Sequence, residues 1–252
     1  MKIEKLKKLK SGKYKIEFED HSSLNLYDEV ILKNNLLFHK EVDDKLLNKL
    51  YDDNNRYDYY NKVLKYILYK MRSTYEIYEY MKKLNIPEDQ QEEIIVKLKE
   101  NNLLNDRLYV KSYISDKIHL TNNGPEKIKS ELLKYNIEES LIEEELKNYD
   151  FQIFEDRIKK IISKKIVSNK KDSSYIIKQK LLGYLINLGY DREMILANIN
   201  NLECNNSVAI KKEYDKLLKK LSKKYDGQEL KYQIKNKLYQ KGFSTEDINE
   251  VI

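Results

Sequence analysis

The chain has 252 residues, 40% hydrophobic and 36% charged, with a mean hydropathy of −0.78, a balance that suits an extended helical assembly with much surface better than one ball-like core. Six glycines and two prolines leave little material for glycine-rich nucleotide loops, and the single Cys204 excludes an internal disulfide. No apolar run nears the roughly 20 residues that span a bilayer and no signal-type apolar segment opens the chain, so a cytosolic protein without a membrane partner is expected.

The first stretch differs from the rest. Tyr14, Ile16 and Phe18 alternate with charged residues at period two, Asp20-His21-Ser22-Ser23 supplies turn chemistry, and Leu24, Leu26 and Tyr27 come next. That pattern predicts a hairpin, to which residues 2–9 add a strand across Ser11-Gly12. Residues 28–34 and 43–51 predict short helices. Residues 1–54 therefore form a small β-containing cap over the first helical unit.

From residue 55 onward the chain repeats. Asn85-Ile86, Asn136-Ile137, Gly189-Tyr190 and Gly242-Phe243 are spaced by 51, 53 and 53 residues. Four residues before each turn stand Met81, Leu132, Leu185 and Leu238; eight before stand Ile77, Ile128, Leu181 and Ile234. Those rows share one helical face, and Ile95, Leu146, Ile199 and Ile252, ten residues after each turn, predict the packing of a following helix. A further amphipathic segment precedes each pair, as in Phe151, Phe154, Ile158, Ile161 and Ile162. Each unit reads as three helices, with boundaries at 55–104, 105–149, 150–206 and 207–252. The fold class is mainly α: tandem three-helix repeats in an elongated, curved stack, with the β cap at the N-terminus.

Local signals place the helix starts. Ser73 with Glu76 three residues on is a capping-box pattern, and Pro87 suits the opening of a helix. Asn105-Asp106, Gly124-Pro125 with Glu126, Ser173-Ser174 and Ser244 mark further starts, and Asp226-Gly227 is a break. Gly124 and Pro125 are given a structural role.

Chemistry is not evident. His21, His39 and His119 lie in separate segments without metal-ligand spacing, Cys204 has no partner histidine nearby, and no nucleotide-loop, nucleophile-elbow or zinc-protease string occurs. Glu92-Glu93 and Glu143-Glu144-Glu145 read as solvated faces. No enzyme activity, cofactor or metal is expected. The formal charge of +6 is uneven: residues 155–180 hold nine Lys/Arg against three acids and 207–241 hold eleven Lys against four, whereas 73–106 hold four Lys against eight acids. A basic flank of this kind suits a phosphate backbone or an acidic protein groove. Tyr109, Lys111, Tyr113 and Lys117, with Lys127 and Lys129 on the next helix and Lys178 and Lys180 further on, are the candidate contact residues; core packing is the competing role for the two rings.

The order and spacing of Met71-Arg72-Ser73-Thr74-Tyr75-Glu76, of Leu104-Asn105-Asp106-Arg107-Leu108-Tyr109-Val110-Lys111-Ser112-Tyr113 and of Gly124-Pro125-Glu126-Lys127-Ile128 resemble the RecX family of regulatory proteins. Lys178-Gln179-Lys180-Leu181 with Gly189-Tyr190 resembles that family's third unit. The chain departs from the family pattern in carrying a fourth unit, in Val110 where a small residue is common, and in Asn85 and Asn136 where glycine is common, although asparagine tolerates the left-handed turn. The resemblance implies a monomer that binds the RecA protein filament on single-stranded DNA, with double-stranded DNA as a further partner, and inhibits its ATPase and strand exchange. A general nucleic-acid-binding repeat protein and a plain protein scaffold remain the alternatives.

Overall fold

The computed structural model describes every residue except 39, 40, 170, 201, 203 and 204, so His39 and Cys204 lie outside the described residues. Contacts divide the chain into two compact units, Met1–Tyr109 and Val110–Ile252. No described helix is long and apolar enough to cross a membrane.

The first unit opens with an antiparallel sheet in the order β1 (Ile3–Lys8), β2 (Tyr14–Phe18), β3 (Ser23–Leu26). Ile16 pairs with Leu6 on one side and Leu24 on the other, and the alternation drives Ile16, Phe18, Leu24 and Leu26 into one buried face. His21 takes the left-handed position of the β2–β3 turn, and Asp20 accepts the Ser22 amide at 3.0 Å. Helix α1 (Asp28–Lys33) adds Val30 and Ile31 to this core.

The expectation of a short helix ending near residue 51 is corrected. Helix α2 runs unbroken over 26 residues, Asp44–Tyr69, capped by Asp43, whose carboxylate accepts the Leu46 amide at 2.7 Å. Its first half gives Leu50 to the cap core and its second half gives Val63 and Ile67 to the next core. The polar run that reads as a break is a set of side-chain ties. Asp53 accepts from Lys33 at 2.7 Å and Asn34 at 3.0 Å, Asn54 accepts the Tyr27 amide at 3.1 Å, and Asp58 accepts the Tyr27 hydroxyl at 2.7 Å. These part-buried and exposed polar pairs hold the cap to the helix in a way apolar periodicity cannot reveal.

The rest of the first unit is α3 (Thr74–Lys83) and α4 (Glu88–Glu100), packed on the end of α2. The Ser73–Glu76 capping box forms as expected, a feature worth about 1 kcal/mol.

Beyond it lie α5 (Asp106–Leu120), which crosses the division between the units, α6 (Pro125–Leu133) and α7 (Glu139–Lys147); then α8 (Gln152–Ser168), α9 (Ser174–Asn187) and α10 (Arg192–Asn200); then α11 (Ser207–Leu221), α12 (Gly227–Gln240) and α13 (Thr245–Asn249). Both rows before the turns are buried at all four equivalents, as are Ile86, Ile137, Tyr190 and Phe243 after them. The third row holds only in part: Ile95 and Ile199 are buried, but Leu146 and Ile252 are half-exposed, with Ile142 and Ile248 in the core instead. Asn85, Asn136, Gly189 and Gly242 all have positive φ, so one left-handed residue ends every middle helix.

Two joints between successive triplets lie inside the second unit. At the first, the Gly124 amide donates to the Leu188 carbonyl at 2.6 Å, the Glu126 amide to the Gly189 carbonyl at 3.1 Å and the Tyr190 hydroxyl to the Asn122 carbonyl at 3.0 Å. Backbone meets backbone there, which only two glycines permit: a Cβ on Gly124 would lie 2.8 Å from the Tyr190 nitrogen and closer still to the Gly189 carbonyl. At the second, the Ser173 hydroxyl donates to the Lys241 carbonyl at 2.7 Å beside Gly242.

Candidate nucleic-acid and partner interface

The first sequence-selected patch lies on α5 and α6, and much of it is occupied by the fold. Tyr109, offered as a contact residue, is only 8% exposed and belongs to the core, which corrects that expectation. Its place on α5 sets it on the apolar side with Val110 and Ile114. Tyr113 is half-buried; its hydroxyl donates to Glu131 at 2.6 Å, and its ring meets Tyr135 edge-on. Lys117 reaches the same carboxylate at 2.7 Å and sits 4.9 Å from the Tyr113 ring centre. Partial burial pushes the Glu131 pKa up, but donation from Lys117 and Tyr113 outweighs it and holds the carboxyl below its ordinary value. This trio ties α5 to α6.

Lys129 is engaged by Glu139 and Glu143, both at 2.6 Å, whose hydrogen bonds raise its pKa. Lys127 is half-buried beneath Gly189. Gly124 is the N-cap of α6 and Pro125 its first residue. Lys111 is exposed, while its carbonyl accepts from Tyr149 at 3.5 Å. On α9, Lys178 donates to the Asn200 carbonyl at 3.2 Å and exposed Lys180 pairs with Asp172 at 2.6 Å. Most of the cations chosen from sequence therefore already have partners.

The carboxylate clusters divide similarly. Glu92 accepts from Tyr78 at 2.8 Å, Glu93 chelates Arg56 at 2.7 and 2.8 Å, and Glu143 holds Lys129. Glu145 departs from the solvated-face reading, being buried with Asn148 donating to it at 3.2 Å. No group of three or more potential ligand side chains stands close enough to hold a metal among the described residues.

Several cations on and around α8 and α11 have no carboxylate partner among the described residues. Lys165, Lys171 and Lys212 line a cleft of about 730 Å³ together with Ser168, Asn169, Ile177, Lys180, Leu181 and Tyr184. Lys160 and Lys164, on α8, border a second cleft beside His119 and Arg157. Charge counting included these lysines within its two basic stretches; it could not say which would keep their charge uncompensated, because that depends on neighbours from other helices.

Known proteins share this architecture. The family profile described as the first three-helix domain of RecX matches residues 60–98, and that of the third matches 208–252. A regulatory protein RecX of Streptococcus agalactiae serotype III is 32% identical over the whole of this chain and 98% of the relative, and that of Streptococcus gordonii is 30% identical over the same shares. The chain belongs to the RecX family. Among solved structures, a "Crystal structure of regulatory protein RecX" shares the fold with a TM-score of 0.69 at 24% identity, covering 80% of this chain and 99% of that one. "RecX from Lactobacillus salivarius" aligns with a TM-score of 0.55 at 28% identity, over 58% of this chain and 96% of that one. The third-domain match falls on α11–α13, one triplet later than the resemblance of residues 178–190 implies. Both triplets carry the same buried rows and the same left-handed glycine, so the local pattern alone does not rank them.

Proposed function

We propose that this RecX-family chain is a non-enzymatic regulator that binds RecA filaments on single-stranded DNA and lowers their ATPase and strand-exchange activity by limiting growth or promoting disassembly. Kinship along the full length to proteins named regulatory protein RecX is the observation that carries the reading. The architecture supports it: tandem triplets offer a broad surface, and a protein that prefers one filament state shifts the assembly equilibrium by that preference. The reading places the chain in the cytosol as a monomer, with duplex DNA as a further ligand. Contact falls to Lys111, Lys127 and the uncompensated lysines of α8 and α11, with Lys178 and Lys180 at their margin.

The test is the DNA-dependent ATPase of RecA with and without the protein. Inhibition that weakens from low to moderate salt is expected; unchanged hydrolysis with the protein in excess over RecA ends the proposal. A second reading, a general nucleic-acid-binding repeat protein, is favoured by the unpaired lysines, and a gel shift with single- and double-stranded DNA in the absence of RecA distinguishes it by high intrinsic affinity.

A further inference from the structure

The cleft between α8, α9 and α11 gathers charge from three separate parts of the second unit. Helix α8, the loop before α9 and helix α11 deliver Lys165, Lys171 and Lys212 to one concavity, and none of the three has a carboxylate partner among the described residues. Asp172, which follows Lys171 in the chain, is already engaged: donation from Asn169 at 2.7 Å and from Lys180 at 2.6 Å holds its pKa below the ordinary value. Uncompensated ammonium groups gathered in one place repel one another, so the arrangement is stabilised by an anion that brings several negative charges at the spacing of the lysines. Tyr184, 38% exposed, forms the wall beside them, with the Lys165 ammonium 4.5 Å from its ring centre, and Ile177 and Leu181 form the apolar floor.

We propose that this cleft is a seat for a run of linked phosphates, with Lys165, Lys171 and Lys212 as their ligands and the Tyr184 ring as a platform for a flat group attached to them. Linked phosphates come either from a nucleic-acid strand or from a free polyphosphate. A strand adds a base that stacks on Tyr184; a free polyphosphate does not. The assignment rests on the reading of the α8 and α11 lysines as contact residues and names the ligand chemistry they take; because it is tested without RecA, its failure is distinct from failure of the filament reading.

Fluorescence anisotropy of a labelled 20-mer of thymidylate, and its displacement by inorganic tripolyphosphate, test the seat with the full chain and no RecA. The triple variant Lys165→Gln, Lys171→Gln, Lys212→Gln is expected to bind the oligonucleotide at least about tenfold more weakly, with the log–log salt slope smaller by about 2 for three lost single-strand phosphate contacts. A charge-matched control, Lys231→Gln, Lys235→Gln, Lys237→Gln, alters exposed lysines of α12 outside the cleft and is expected to change affinity far less. Tyr184→Leu is expected to weaken the oligonucleotide by about fivefold or more while leaving tripolyphosphate unaffected if a strand is the ligand. Cleft-dependent binding of tripolyphosphate without the oligonucleotide assigns the seat to a free polyphosphate. Equal losses in the two triple variants, or no binding of either probe by the unaltered chain at 50 mM salt, overturn the proposal; matching circular dichroism melts verify that the variants are folded.

Discussion

Replacing Gly189 by alanine tests whether the joint between the second and third triplets is a backbone-to-backbone contact that tolerates no side chain. Gly189 has φ +81, and a Cβ built there would lie 2.8 Å from the Lys127 Cα and closer still to the Lys127 nitrogen and Cβ. Holding a non-glycine residue left-handed costs about 1–2 kcal/mol. Forcing the α6 backbone away adds about 1–3 kcal/mol of overpacking. The sum, about 2–5 kcal/mol, shifts a urea midpoint by about 1–2.5 M at a slope near 2 kcal/mol/M. Circular dichroism near 222 nm is the assay, since the chain has no Trp. Gly124→Ala has an ordinary φ of −84 and meets only the crowding, so it loses about 1–3 kcal/mol. Gly183→Ala is the internal control: it lies within α9 with nothing near its added methyl, and it gains about 0.5–1 kcal/mol from helix propensity. A Gly189→Ala protein that unfolds at the same urea concentration as Gly183→Ala refutes the close-contact account.

Other perturbations probe the remaining ties. Asn206→Ala removes the acceptor of the Ser174 amide at 2.8 Å and hydroxyl at 2.6 Å, and the donor to Asp247 at 2.7 Å; a loss of about 1–3 kcal/mol is expected, read by the same urea titration. Glu131→Gln is expected to destabilise the protein at neutral pH and progressively less as the pH falls below 4.5: the carboxyl is held below that ordinary value, so its contribution is present above it and fades as pH falls through the lower folded one, and a difference that does not shrink on acidification contradicts the assignment. Lys127→Glu combined with Lys129→Glu is expected to weaken RecA inhibition less than charge reversal of Lys165 and Lys212, measured by the filament ATPase, because the Lys129 charge is already compensated by Glu139 and Glu143.

The parts of the fold that were legible in the sequence share one cause. A helix that buries one face repeats its apolar residues at a fixed step, so Ile77, Ile128, Leu181 and Ile234 could be aligned by counting, and all are buried. Caps are equally local, which is why Ser73, Ser173 and Ser244 mark true starts. What counting could not reach depends on residues distant in the chain. The unbroken course of α2 rests on Asp53 and Asn54 meeting partners in the cap. The burial of Tyr109, against the exposure of Lys111 two residues on, reflects which side of α5 the core lies. Lys129 and Lys212 look alike as letters, yet one is doubly paired and the other faces a cleft.

The starts of the middle helices show one requirement met by different residues. The first amide of such a helix has no partner within it and must find an acceptor or be dispensed with. In the first triplet the Thr74 amide donates to the Asp106 carboxylate at 2.8 Å, and in the third the Ser174 amide donates to the Asn206 side chain at 2.8 Å; both acceptors lie 32 residues on, where the next triplet begins. In the second triplet the equivalent residue is Pro125, which has no amide to satisfy. That joint therefore needs no side-chain acceptor, and its closeness is supplied instead by Gly124 against Gly189. An acidic or amide residue at the start of one triplet and a serine or threonine at the first position of the preceding middle helix thus form one device, and glycine-proline forms its substitute. Exchanging them singly should fail where exchanging them together succeeds: Pro125→Ser alone leaves a new amide with no acceptor beside a backbone contact that admits none, and is expected to cost about 1–3 kcal/mol in the urea titration.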